Sequence, residues 1–336
     1  MELPPALARH RRDVEPFLRS LLDRPGAPLL YRMARYHLGW EDEHGEPADA
    51  PGKGVRPALC LLACEAAGGD RQAAVPAAAA VELVHAFSLI HDDIQDRDGE
   101  RHHRPAVWTV WGEAQAINAG DALLALAHLA LGELQDYGLS SDSVLQAVRR
   151  LDEATLEMVE GQVLDLQMED REDADVREYL EMVSRKTGAL FGCALELGAL
   201  AARAAPEVRA AFGRLGATLG VAFQMRDDIL GAWGDEAKTG KPAGADILRR
   251  KKSLPIVLAF ELAEGGEADR LRGLCERRDV AGVLAAFEGL GVRAKCEELA
   301  AEKAAEAASM LASLELAPAA GAELREAARF LLEREF

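Results

Sequence analysis

Two apolar runs of helical spacing, each closing on adjacent carboxylates, constrain this chain more than any other feature. The first is HAFSLIHDDIQDRD, His85 to Asp98, with carboxylates at Asp92, Asp93 and Asp96; the second, GVAFQMRDDILGAWGDEAKTGK, carries Asp227 and Asp228, with Asp235 further on. At about 100° per residue the three carboxylates of the first run fall within an arc of roughly 100°, which lets them converge on one object. His85 lies seven residues before Asp92, near the same meridian. Carboxylates held together repel one another and are tolerable only if solvated, protonated or neutralised by a cation. Both groups follow an apolar run instead of opening one, and negative charge at a helix C-terminus opposes the dipole, so a capping role explains them poorly. Two acidic helix ends more than a hundred residues apart read as the two walls of one site. Oxygen-only donors favour hard cations, and Mg2+ keeps several waters and fills other positions with substrate phosphate oxygens.

The remainder of the chain supplies helices and cations. Ala, Leu, Glu and Arg abound and aromatic residues make up 5%, a composition that favours helix over strand. Pro25–Gly26 breaks the first helical stretch, and the polar loop from Glu41 to Gly54 delivers Lys53 and Arg56 to the start of the next. Asp98 to Pro105 reads as a turn or loop dense in basic groups. Ala114, Ala116, Ala119 and Gly120 permit close helix approach in the segment after it. Lys186 and Thr187 lie inside a helix-like stretch from Val176 to Leu200, and Gly231 to Gly244 reads as a loop. Lys53, Arg56, Arg101, Lys186, Lys241 and Lys251 are candidate anion ligands, while Gln162, Asp165 and Gln224 are polar residues inside apolar runs that need partners. Carboxylates for a metal beside cations for direct contact suit a reaction that expels a diphosphate.

Neither GxGxxG nor a Walker-type loop occurs, and a net charge of -18 disfavours a nucleic-acid or anionic-membrane partner. The five cysteines form no CxxC pair and read as buried thiols in a reducing compartment. The N-terminus lacks an apolar signal core and no uninterrupted apolar segment approaches the roughly 20 residues of a bilayer span, so the expectation is a cytoplasmic protein without an integral membrane segment.

In order along the chain, GKGVRP, HAFSLIHDDIQD, GQVLDL, the Lys186–Thr187 pair, FQMRDDILGAWGDEAKTGKP and KKSLP resemble the motifs of the trans-isoprenyl diphosphate synthases, the polyprenyl synthetase family, over roughly residues 50 to 260. The resemblance implies a single domain over residues 1–336, all-α, with the isoprenoid synthase helices surrounding a deep apolar cavity. It implies a homodimer, and three Mg2+ ions on an allylic diphosphate. Asp92, Asp96 and Asp227 would be the principal metal ligands, with Asp93 and Asp228 in support. Arg101, Lys186 and Lys241 would hold the allylic diphosphate, Lys53, Arg56, His85 and the residue at 102 would hold isopentenyl diphosphate, and Lys251 is a further substrate-binding residue. Thr187 and Gln224 would stabilise the developing carbocation, and the released diphosphate would accept the final proton.

Two positions depart from the family pattern. His102 stands where an arginine is usual, which offers less charge to isopentenyl diphosphate, and Gly231 replaces the last aspartate of the second DDxxD. Phe87, five residues before the first motif, with Ser88 beside it, resembles the cavity floor of short-chain enzymes. The expected product is geranylgeranyl diphosphate, with farnesyl or a longer diphosphate as alternatives. A class I terpene cyclase would not need Lys53, Arg56 and His85 together, and a noncatalytic subunit of a heteromeric synthase would be expected to have degraded aspartate motifs.

Overall fold

The computed structural model describes residues 4–50, 52–169, 171, 173–234, 244, 247–248 and 251–333, without the side chains of residues 10 and 11. Helices α1 (Pro5–Leu22) and α2 (Pro28–His37) flank the expected break. They are followed by α3 (Val55–Ala66), α4 (Val75–Gln95), the short α5 (Val107–Trp111), α6 (Glu113–Gly132) and α7 (Ser141–Glu169). Next come α8 (Val176–Val183), a π-helical turn at Ser184–Gly188, α9 (Ala189–Ala201) and α10 (Pro206–Trp233). The C-terminal part holds α11 (Leu254–Leu262), α12 (Gly266–Glu276), α13 (Val280–Gly289), α14 (Val292–Ser313) and α15 (Pro318–Glu333).

Helices α3 and α9 are apolar almost all round, so they bury every face, and they cross closely. A Cβ on Gly198 of α9 would lie 2.1 Å from the Cys60 carbonyl oxygen of α3, a contact only glycine permits. A continuous core spans α1 to α7, α9, the first half of α10 and α15. A second, smaller core joins α8, the end of α10 and α11 to α14. The carboxylate-bearing ends of α4 and α10, the last turns of α7 and the π turn meet beside the second core.

The structure departs from the sequence reading at two places. The segment expected as a turn or loop forms a hairpin, Glu100–Arg101 against Arg104–Pro105, whose turn residues His102 and His103 both have left-handed backbones, φ 53° and 59°. That conformation suits the strand twist of a two-residue hairpin, though glycine or asparagine is its usual occupant. Gly231 does not end a helix, because α10 runs on to Trp233. By length and mean hydropathy, Arg71–Gln95 and Glu113–Gln135 are apolar enough to cross a membrane, although 72% of the first window is buried within the protein, as in a core helix.

Candidate active site

The first acidic motif occupies the last turn of α4, with Asp96 as its C-cap. Asp92 and Asp96 are one helical turn apart and turn the same way, whereas Asp93, rotated by about 100°, points into the protein. Lys186 Nζ lies 3.4 Å from Asp92 Oδ1 and 2.5 Å from Asp165 Oδ2 of α7. Lys251 Nζ lies 2.6 Å from Asp96 Oδ2. Burial pulls both ammonium groups toward neutrality, but the surrounding carboxylates outweigh it and raise their pKa values, so both stay charged. Two ammonium groups thus neutralise the two outward carboxylates of the motif.

Asp93 is buried and accepts from Arg101: Nε donates to its Oδ1 at 2.9 Å, Nη2 donates to the same atom, and Nη2 lies 3.9 Å from Asp92 Oδ2. Burial pushes the Asp93 carboxyl up to about 6 despite the guanidinium, and its Oδ2 has no hydrogen-bond partner among the described residues. The hairpin aims Arg101 at this carboxylate. It is pinned by Tyr36, whose hydroxyl donates to the Pro105 carbonyl at 2.7 Å, and by Arg104, which donates to the Tyr36 carbonyl at 3.1 Å. Trp108 Nε1 secures the approach to the hairpin by donating to the Asp98 carbonyl at 2.7 Å.

On α10, Asp227 is half-buried, but Asp228 is buried with both oxygens engaged. Gln224 Nε2 donates to Asp228 Oδ1 at 2.8 Å; Tyr179 OH and the backbone N–H of Leu254 donate to Oδ2 at 2.7 and 2.9 Å. Asp228 therefore anchors α8 and the first residue of α11. Among the described residues, no three His, Cys, Asp or Glu side chains are grouped to enclose an ion. The donors that fit a hard cation are Asp92, Asp96 and Asp227, and on the first two a lysine ammonium supplies the positive charge in this structure.

The π turn joins the two acidic helices. Its extra backbone residue lets successive side chains, Lys186 and Thr187, reach opposite walls: Lys186 meets Asp92 of α4, and Thr187 Oγ1 donates to Gln224 Oε1 of α10 at 3.2 Å. Gly161 of α7 makes room for the turn, since a Cβ there would lie 2.2 Å from the Lys186 backbone nitrogen. Gln162 Nε2 donates to Gln95 Oε1 at 2.9 Å, tying α7 to α4.

A second cationic centre lies on α3 and α4. Arg56 Nη1 lies 3.0 Å from His85 Nε2; a guanidinium can only donate, so Nε2 is the bare acceptor and the ring proton is on Nδ1. Burial and then Arg56 hold the His85 pKa well below the usual histidine range, so the ring is neutral. Burial brings Arg56 down to about 10, and its guanidinium stacks over the Phe191 ring at 4.6 Å. Nearby His37 is pushed down to about 3 by burial, then by Arg101, His102 and Arg104. Lys53 is exposed at the entrance to α3.

With this geometry in hand, comparison with known proteins is decisive: residues 45–288 match the Polyprenyl synthetase family. The chain belongs to the polyprenyl synthetase family. It is a prenyltransferase. It is 45% identical over 267 residues to a (2E,6E)-farnesyl diphosphate synthase of Mycobacterium tuberculosis, covering 79% of this chain and 72% of that one. It is also 45% identical over 255 residues to a geranylgeranyl diphosphate synthase of the same organism, covering 76% and 71%. Its fold is similar to that of a polyprenyl synthetase from Streptomyces coelicolor, with a TM-score of 0.91 at 38% identity over 98% of this chain and 99% of the other.

Of the residues singled out in the sequence, the structure gathers Asp92, Asp96, Asp165, Lys186, Thr187, Gln224 and Lys251 into one polar network. Arg56 and His85 pair as a second centre beside it. Lys241 and Asp235 lie outside the described residues. Ser88 turns back to donate to the carbonyl of His85 at 2.8 Å, and Phe87 is buried in the main core. Sequence reasoning missed Tyr179, His37, Arg104 and the Leu254 N–H. The Asp175–Glu178 capping box that starts α8 was a local signal for that helix, but nothing in it announces that Tyr179 supports Asp228.

Proposed function

We infer that this prenyltransferase condenses isopentenyl diphosphate head to tail with an allylic diphosphate and releases an all-trans prenyl diphosphate, principally geranylgeranyl diphosphate. The observation that carries this reading is the Lys186–Thr187 turn bridging the acidic ends of α4 and α10, with the cationic Arg56–His85 centre beside it. The first arrangement suits a metal-held leaving diphosphate and the second a diphosphate held without metal, and both are needed only for chain elongation.

Asp92, Asp96 and Asp227 hold Mg2+ in this reading, and the bound metal, three ions by family resemblance, supplies positive charge that stabilises the departing diphosphate. Lys186 and Lys251 release their carboxylates and, with Arg101 and Lys241, bind the diphosphate oxygens. Thr187 and Gln224 direct oxygen lone pairs at the allylic carbon as it becomes positive. Arg56, Lys53 and His102 bind isopentenyl diphosphate, while neutral His85 orients Arg56 by accepting its hydrogen bond. The apolar core below the polar mouth keeps water from the cation, and Phe87 sets the depth available to the growing chain. The diphosphate released from the allylic carbon takes the proton lost from the new chain, so no carboxylate base is assigned.

A homodimer is part of the same proposal. Ile117 and Leu129 of α6 and Leu156, Val159 and Val163 of α7 are exposed large apolar residues, a face that suits a second copy of this chain. Asn118, Asp121 and the His128–Asp152 pair, 2.6 Å apart, interrupt it with groups poorly suited to lipid. The free, mostly buried cysteines accord with a cytoplasmic setting.

The test is incubation of the purified protein with Mg2+, isopentenyl diphosphate and, separately, dimethylallyl, geranyl, farnesyl and geranylgeranyl diphosphates, with products identified by mass spectrometry. Elongation with the shorter allylic partners is expected. Cyclised hydrocarbons without elongation would overturn the reading in favour of a cyclase, and inertness with all four would make the chain a noncatalytic subunit.

A further inference from the structure

Phe87 and His91 are one turn apart on α4, and their rings meet edge-on, with centroids 4.9 Å apart and planes at 73°. His91 is held from the other side by α6. Its Nε2 lies 3.3 Å from the Ile117 carbonyl oxygen, which can only accept, so Nε2 carries the proton; Asp121 Oδ1 lies 3.8 Å from the same nitrogen. Between these two positions is Gly120, where an added Cβ would lie 2.4 Å from His91 Nε2 and 2.6 Å from Cδ2.

Gly120, like Gly213 against the Glu196 side chain, makes room for a side chain, whereas packing glycines such as Gly198 and Gly216 make room for backbone. At Gly198 and Gly216 the nearest obstruction is backbone of a neighbouring helix, the Cys60 and Phe191 carbonyl oxygens at 2.1 and 2.5 Å. At Gly120 the three nearest atoms all belong to the His91 imidazole. The close approach of α4 to α6 already has small buried residues in Ala116, Ala119, Ala127 and Ala130. Gly120 is thus a notch fitted to one side chain, and that side chain backs the Phe87 ring.

We propose that His91, seated in the Gly120 notch, is a positioning residue that fixes the Phe87 ring and so sets product chain length. The proposal rests on the reading of Phe87 as the cavity floor. It gives the two sides of the contact opposite effects. Filling the notch drives the imidazole toward Phe87 and raises the floor. Removing the imidazole takes away the backing and lets the ring swing down. A residue needed only for folding would depress activity in both cases without moving product length in opposite directions.

The experiment compares wild type, Gly120→Ala, His91→Asn, Phe87→Ala and the Gly120→Ala/His91→Asn double variant, each assayed at equal substrate conversion. The ratio of farnesyl to geranylgeranyl to longer diphosphates is read by mass spectrometry, and folding is checked by circular dichroism. His91→Asn retains a donor for the Ile117 carbonyl without the ring. Gly120→Ala is expected to raise the farnesyl share at least about threefold, and His91→Asn to raise the share longer than geranylgeranyl by a similar factor. In the double variant Gly120→Ala should have no further effect, because the side chain it displaces is gone. Product ratios unchanged in His91→Asn while Phe87→Ala lengthens the product would overturn the positioning role and leave the floor in place. Unchanged length in Phe87→Ala would instead refute the floor itself. If Gly120→Ala fails to fold, the comparison of His91→Asn with Phe87→Ala still decides.

Discussion

Gly161→Ala tests whether the π turn, and not merely the set of residues it carries, places the catalytic groups. An alanine Cβ at this position would lie 2.2 Å from the backbone nitrogen of Lys186, 2.6 Å from its Cα and 2.8 Å from the Arg185 carbonyl carbon. All three atoms are backbone, so no side-chain rotation relieves the clash. Restoring an ordinary contact of about 3.5 Å requires α7 and the turn to part by more than about 1 Å. Overpacking on this scale costs about 1–3 kcal/mol, because neighbouring helices absorb part of the shift. For a chain of this size that lowers Tm by only about 2–5 °C. Misplacing reacting groups by 1 Å costs about 100-fold in rate, since transition-state stabilisation depends on geometry more steeply than folding does. The assay is steady-state condensation with labelled isopentenyl diphosphate alongside thermal unfolding by circular dichroism, with Gly289→Ala as control because a Cβ there meets nothing within 4 Å. The expected result is a near-native melting curve with about 100-fold lower kcat. A Gly161→Ala enzyme that melts several degrees lower yet turns over within about threefold of wild type would refute the link between the turn's position and catalysis.

Tyr179→Phe removes one donor from the buried Asp228 carboxylate and should cost about 1–3 kcal/mol, seen as a lower urea midpoint; no change would mean that water replaces the hydroxyl. His37 and His85 have folded-state pKa values below the ordinary 6.5, so the unfolded chain takes up protons that the folded protein refuses as pH falls. Their stability contribution is present above pH 6.5 and is lost on acidification, at up to about 1.4 kcal/mol per pH unit for each. His37→Gln should therefore flatten the decline in urea midpoint between pH 6.5 and about 4, and an unaltered slope would exclude His37 as a source of it. Lys251→Met frees Asp96 from its ammonium partner and should tighten Mg2+ binding in the absence of substrate by about fivefold in calorimetric titration; unchanged affinity would show that the lysine does not compete with metal.

The parts of the site that were legible in the sequence are those whose chemistry repeats locally. Asp92 and Asp96 share a helix face by spacing alone, and Lys186, Thr187, Gln224 and Lys251 lie in motifs whose order along the chain identifies the family. Structure then brings them together over distances that periodicity cannot reach. Tyr179 escaped notice because a lone tyrosine in a short amphipathic helix reads as core, and its partner Asp228 lies 49 positions away. The hairpin escaped because Arg-His-His-Arg lacks the glycine or asparagine that marks a left-handed turn; Tyr36, Arg104 and Trp108 hold it instead. Gly231 was misread as a stop. A glycine inside a helix costs only about 1 kcal/mol, and the buried Ile229 and Ala232 on either side keep α10 intact to Trp233.

The paired aspartates themselves carry an argument about why adjacent carboxylates recur in both halves of the site. Neighbouring residues on a helix are rotated by about 100°, so two such side chains cannot point equally at one ion. In the first pair the outward member, Asp92, meets Lys186; in the second, Asp227 is half-buried on α10. The inward member binds structure instead. Asp93 takes the hairpin through Arg101, and Asp228 takes α8 through Tyr179 and α11 through the Leu254 N–H. Each inward carboxylate thereby fixes a segment that carries a cation proposed to bind the diphosphate, Arg101 in one case and Lys251, three residues before Leu254, in the other. In the proposed mechanism one residue of the pair would face the metal and its neighbour would hold in place a cation for the same leaving group. Replacing an inward aspartate by asparagine should therefore weaken diphosphate binding more than metal binding, whereas replacing an outward one should do the reverse.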